Sequence, residues 1–308
     1  MVEARPGAGK LSQGGRRPRE WKFPAHPLYV KVIYIPVDQR NEEQGNLQMT
    51  KPITTAAYLA GVTTLAVSLP AMAETKRYDL KGFDEVVVER GVSLDLSQGE
   101  DFAVSAEADR RHMLNRLIVE KDGARLLISR KKSWRDWSFL TRRFDASVDV
   151  TLPVLARLDA SSGADVDVEG EFSGPMKVIA SSGADVDMTG ALPEKLGVIA
   201  SSGASVEMDD ISAGRVEIDT SSGSNVEIAG TCDSLTAEAS SGSDIDAEGL
   251  ECKSGDLATS SGARLVAHAR DSVVADARSG GRIEVAGAPG DVVEETKAGG
   301  RIKIDKRL

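Results

Sequence analysis

"VIASSGADVDMTG", residues 178–190, decides the fold because it recurs. Related copies read LDASSGADVDVEG from 158, VIASSGASVEMDD from 198, IDTSSGSNVEIAG from 218 and AEASSGSDIDAEG from 237. Three more follow: LATSSGARLVAHA from 257, ADARSGGRIEVAG from 275 and EETKAGGRIKIDK from 294. The glycine after the serine pair returns every 18 to 20 residues, from Gly163 to Gly299. Within a copy the residues alternate. Val186 and Met188 point one way, Asp185 and Asp187 the other, and a period of two means strand. A unit of this length cannot bury its own apolar face, but stacked on like units it can. The expected fold is therefore all-β: a parallel β-helix with about 20 residues per coil and a rise of about 4.8 Å, the ordinary strand spacing.

Stacking fixes the meaning of the Ser-Ser-Gly triplets. Ser161, Ser181, Ser201, Ser221, Ser240 and Ser260 form one column, and Ser162 to Ser261 the next. Glycine suits a corner where φ is positive, and a small serine fits beside it with a hydroxyl able to bond turn or neighbouring-coil backbone. A catalytic serine occurs once, beside a base; six copies are structural. One column, Val166, Val186, Val206, Val226, Ile245, Leu265, Ile283 and Ile302, should be buried throughout. Cys232 and Cys252 fall at corresponding phases of successive coils, 9 and 10 residues after Gly223 and Gly242. That places their Cα atoms near the window for a disulfide.

Upstream of the repeats, 74–157 is β-rich and less regular. FDEVVVERGVSLDLSQGE, RLIVEKDGARLLISR and ASVDVTLP alternate, with Asp122-Gly123 as a hairpin signal. These strands should begin the helix or cap its N-terminal end, with ADRRHMLNRL (108–117) as a short helical or irregular insertion. Residues 49–73 read as a cleavable signal peptide: a charged start, an apolar run over Ile53–Leu69, then Ala71-Met72-Ala73. Residues 1–48 are expected to be an upstream extension outside the natural start at Met49. Export implies the periplasm, the cell surface or the medium, an oxidising compartment for the cysteines, and no integral membrane segment after cleavage.

The whole chain carries net charge −10; without residues 1–73, which hold 9 Lys/Arg and 5 Asp/Glu, it carries −14. Such an acidic surface argues against nucleic-acid binding. Two carboxylate columns contribute. Asp165, Asp185 and Asp244 share one phase, interrupted by Ser205 and Asn225; Asp167, Asp187, Glu207, Glu227 and Asp246 share another. Like charges at that spacing repel by about 0.9 kcal/mol in water, so the columns are either a solvated face or a cation site. No His/Cys set has metal-ligand spacing, and no cofactor is expected. Asp209-Asp210 and Arg301-Ile302-Lys303 are superficially similar to polygalacturonase motifs, but the matching Asn-Thr-Asp and His-Gly elements are missing. The exception to the acidic character is RKKSWRDWSFLTRR (130–143), with six basic residues and one acid. Arg130, Lys131, Lys132, Arg135, Arg142 and Arg143, expected to be largely exposed, surround Trp134 and Trp137. Either the aromatics cap the open core or the segment binds an anionic glycan, lipopolysaccharide phosphates or an envelope protein.

The FDEVVV…VSLDLSQGE opening, the RLLIS strand, the VDVTLPVLARLDASSGADV bridge (148–166) and the repeated S-S-G-x-x-V units occur in an order that resembles the head GIN domain, a bacterial secreted family also described as an adhesin head. The resemblance covers about residues 77–305. It implies a right-handed β-helix in the cell envelope, supplies no catalytic residues and implies no established reaction. The expectation is a secreted, envelope-associated binding module without catalytic activity. The alternatives are a polysaccharide-acting enzyme on the same scaffold, or a structural protein that self-assembles through its coil ends.

Overall fold

The structure is a computed structural model and describes residues 74–131 and 146–305. The expected upstream extension and signal peptide, and most of the basic-aromatic segment, lie outside the described residues.

Two strands of the first coil, β2 (Glu85–Glu89) and β3 (Ser93–Gln98), follow a leading strand β1 (Glu74–Tyr78). The chain then leaves the stack through β4 (Ala103–Ala108), a single helical turn α1 (Arg111–Leu114) and β5 (Leu117–Asp122). It returns in β6 (Arg125–Arg130) and β7 (Ala146–Leu152), which stack on the far side of β2 and β3. Next, β8 (Arg157–Ser161) and β9 (Asp165–Glu169) stack on their near side. The stacking order is thus β6/β7, β2/β3, β8/β9, which is not the order of the sequence. Antiparallel strands close this end: β5 on β6, β4 on β7 and β1 on β4. The Asp122-Gly123 signal is the β5–β6 turn, with Gly123 at φ 59°. A solenoid leaves an open edge at each end, and here that edge passes from the coil strands to the short antiparallel strands β1 and β5.

From there the coils follow in sequence order. They run through β10 (Met176–Ser181), β11 (Asp185–Thr189) and β12 (Lys195–Ser201). The longer β13 (Ser205–Ser221), β14 (Asn225–Ala239), β15 (Asp244–Thr259) and β16 (Arg264–Arg278) each bend round a side without a break. The last are β17 (Arg282–Ala286), β18 (Asp291–Lys297) and β19 (Arg301–Ile304). Every coil-to-coil pairing after β7 is parallel; the strands after each serine corner keep the register of the repeat, Val186 opposite both Val166 and Val206, for example, and the register shifts at the bends of β13 to β16. The expected column is buried from Val166 to Ile283 and half-buried at Ile302. It also runs two levels further, through Leu94 and Val148.

Each Ser-Ser-Gly corner is a tight turn in which two residues, not one, have positive φ. Ser162 is at 57° and Gly163 at 71°, and the pattern repeats at Ser182/Gly183, Ser202/Gly203 and onward to Ala298/Gly299. The amide of Ala164 donates to Ser161 O at 3.3 Å across the turn, and the Gly163 amide donates to Ser182 O of the next coil at 3.2 Å. The corner is therefore knitted to its neighbour by backbone. A hydroxyl contribution occurs at Ser240, whose Oγ donates to Thr220 O at 3.5 Å. A left-handed non-glycine residue is uncommon, and serine is tolerated here because its small side chain stays exposed at the corner.

The C-terminal end is blunted chemically. The inward column Val178, Val198, Ile218, Ala237, Leu257, Ala275 ends in Glu294. Glu294 is exposed, and a charge at that position of the column discourages another strand from adding there.

Candidate functional site

Four cations from three parts of the chain meet at the corner of the first coil. Arg90 occupies the position of the second serine of later corners, since Glu89 stands opposite Ser161, and it has φ 65° followed by Gly91 at 64°. Arg116 comes from the turn between α1 and β5. Arg130 ends β6 and Lys131 follows it. Arg90 Nη1 donates to Arg130 O at 3.1 Å, and Arg116 Nη2 to Lys131 O at 3.5 Å. The Lys131 amide donates to Arg116 O at 2.8 Å and its Nζ to Asn115 O at 3.1 Å. These bonds are made to carbonyls and hold the side chains of Arg90, Arg116 and Lys131 beside the end of β6. Glu89 supplies a carboxylate, 2.8 Å from Arg90 Nε and accepting from Ser129 Oγ at 3.2 Å.

Lys131 is exposed as expected, but Arg130 is only half-buried rather than largely exposed. It still belongs to β6, and Arg90 lies across its carbonyl. Lys132, Trp134, Arg135, Trp137, Arg142 and Arg143 lie outside the described residues. Arg90 and Arg116 were missed in the sequence. Glu89-Arg90-Gly91-Val92 is a degenerate Ser-Ser-Gly-Ala corner, so alignment on the repeat could have found Arg90. Nothing local signals Arg116, which depends on the antiparallel fold of β5 onto β6.

The neighbouring sheet has the opposite character. Asp149, Asp95, Asp167, Asp187, Glu207, Glu227 and Asp246 stand opposite one another in consecutive coils, two levels longer than the repeats implied. Asp165 and Asp185 flank them. Burial, reinforced by Asp149, pushes the Asp95 carboxyl up, and burial with Asp95 does so for Asp167. Burial, then Asp185, raises Asp187; the charges of Asp187 and Glu227 raise Glu207. Among the described residues no group of three His, Cys, Asp or Glu is arranged to hold a metal ion.

The raised carboxyls have a consequence for stability. An acid whose folded pKa lies above its unfolded value binds protons more readily in the folded state, so stability grows as pH falls through the raised value. Glu295, held down by a hydrogen bond from Lys297, pulls the other way at one position. Thermal unfolding should therefore occur at higher temperature near pH 5 than near pH 8. Added salt should recover part of the difference at pH 8, because it screens the repulsion. A melting temperature that rises from pH 5 to pH 8 would contradict the carboxylate register.

The residues similar to a polygalacturonase set are not brought together. Asp209 pairs with Thr189 on β11, whereas Arg301 lies on the last coil. Five coil steps separate those levels, about 24 Å at the ordinary strand spacing. His112 is in α1 and His268 in β16, so they form no cluster.

The coil stack and its corners define a β-solenoid domain with a charged corner. The chain belongs to the family described as "Putative auto-transporter adhesin, head GIN domain", whose pattern matches residues 82–289. Solved structures resemble it along most of their length. A "putative adhesin" from Parabacteroides merdae has a TM-score of 0.69 at 15% identity, covering 76% of this chain and 96% of that one. A "putative lipid binding protein" from Parabacteroides distasonis has a TM-score of 0.67 at 17% identity, covering 76% and 97%. At such identities the likeness is one of fold. No curated protein matches the chain. Among the described residues no helix is long and apolar enough to cross a membrane.

Proposed function

We propose that the protein is an exported, envelope-associated binding module that takes anionic envelope material at the corner of its first coil and catalyses no reaction. One observation carries this reading. The side chains of Arg90, Arg116 and Lys131 are bonded to carbonyls around Arg130, where the segment carrying Lys132, Trp134, Arg135, Trp137, Arg142 and Arg143 begins. Concentrated cations on an otherwise acidic protein attract phosphate or carboxylate groups, and tryptophan adds a face for sugar rings or a lipid boundary. The adhesin description of the family supports an extracellular or envelope location and a role in binding. The signal-peptide pattern of residues 49–73 supports export.

The alternatives fare less well on physical grounds. A polysaccharide-acting enzyme needs acid and base within reach of one bond, and the candidate residues stand several coils apart. Assembly through coil ends meets the antiparallel cap at one end and Glu294 at the other.

Reversing Arg130, Lys131 and Lys132 to Glu should weaken binding to purified lipopolysaccharide at least tenfold while leaving the unfolding temperature nearly unchanged. Binding by the unaltered protein should fall with salt, because exposed charges are screened within about 8–10 Å at moderate ionic strength. Equal binding by the triple variant would show that the segment is only a cap.

A further inference from the structure

The third side of the solenoid, away from the serine corners and the basic corner, carries a groove that runs along the axis with a cavity of about 580 Å³. It is lined in successive coils by Ser173, Leu192, Ser212, Thr231, Glu251 and Arg270. Ser173 bridges to Leu192, Ser212 stands opposite Thr231, and Thr231 opposite Glu251. These levels span five coil steps, about 24 Å. We propose that this groove is a second binding site, for an extended uncharged oligosaccharide.

The chemistry of the lining selects that class. Hydroxyls recur along the wall, with Thr231 Oγ1 donating to Ser212 Oγ at a loose 3.4 Å. Carboxylates and cations alternate further along, and Lys253 is tied to Asp233 at 2.6 Å. Donors and acceptors are thus mixed while the charge stays close to balanced. A polyanion gains little here, unlike at the basic corner, whereas a chain of hydroxyls finds partners at nearly every level. Leu192, 42% exposed, offers an apolar face to a sugar ring. The rise per coil is close to the length of one pyranose residue in an extended chain, so one sugar per coil keeps the contacts in phase. An added peptide strand does not suit the site, since β14 and β15 are already bonded to neighbours on both sides and offer no free edge. The Cys232–Cys252 bridge lies across two of the lining levels and holds the floor in place, which lowers the ordering cost of binding.

The test is titration of the full chain with end-labelled cello-, malto- and chito-oligosaccharides of increasing length. In at least one series, affinity should rise to about five sugars, matching the coil steps at the ordinary strand spacing, and then level off. Thr231→Arg and Ser212→Arg, both at exposed outward positions, should each weaken binding at least tenfold with unchanged melting temperature. The triple reversal at Arg130, Lys131 and Lys132 should leave it unaltered, so this site and the basic corner stand or fall separately. The proposal is overturned if no series binds at millimolar concentration, if affinity is independent of length, or if both arginine variants bind like the parent. Selective capture of an extended peptide in place of sugars would equally overturn it.

Discussion

Val226→Asp should abolish the folded state near room temperature or lower its stability by several kcal/mol, the cost of burying an unpaired charge. Val226 is fully buried and sits between Val206 and Ile245 in the column that runs the length of the solenoid. Its partners along the column, Val206 and Ile245, are aliphatic and cannot pair with a carboxylate. Val226→Ala should cost about 2 kcal/mol, the lower range for deleting buried methyl groups. At the next position the sign changes: Glu227 points outward into a row of carboxylates, so Glu227→Val removes repulsion and should be neutral or slightly stabilising. This contrast between adjacent residues tests the register, since a slip of one residue would exchange the two outcomes. Equilibrium denaturation reads it directly. A Val226→Asp protein as stable as the parent would exclude the coil register.

How legible the fold was follows from what a repeat encodes. Phase is local and strongly specified. Val186 and Asp187 differ in polarity and the pattern recurs, so strand, face and stacking partner could be read for every coil from Gly163 onward. Stacking order is not local. The strands β2 and β3 precede β6 and β7 in sequence yet lie inside them in the stack, and alternation alone does not distinguish that arrangement from a simple succession. The left-handed serines were hidden for another reason. Serine carries no signature for positive φ, and the conformation is imposed by the corner and its backbone bonds, such as Gly163 N to Ser182 O. The basic corner was half legible. Arg130 and Lys131 were marked by composition. Arg90 needed a recognised degenerate corner, and Arg116 needed the fold of the cap.

Replacing Cys232 and Cys252 together by Ala should destabilise the protein by about 3 kcal/mol, the chain-entropy value for a loop of this length. Their sequence separation is 20 residues, and the structure joins them with a Cα–Cα distance of 4.5 Å. The surroundings make this a clean measurement of the cross-link. The same column reads Ala213, Cys232, Cys252, Ala269, so alanine at both central positions matches what already stands on either side. Loss of packing should therefore be small beside loss of the constraint on the unfolded chain. For a domain of this size each kcal/mol moves the melting temperature by about 2–4 °C, which predicts a fall of roughly 6–12 °C. Reductant should lower the parent to nearly the same value and leave the double variant unmoved. The effect should be largest on unfolding of the coils around β14 and β15, since each coil of a solenoid contacts chiefly its neighbours. If two free thiols can be labelled in unfolded protein prepared without reductant, or if reductant shifts the parent and the double variant equally, the bridge contributes nothing to stability.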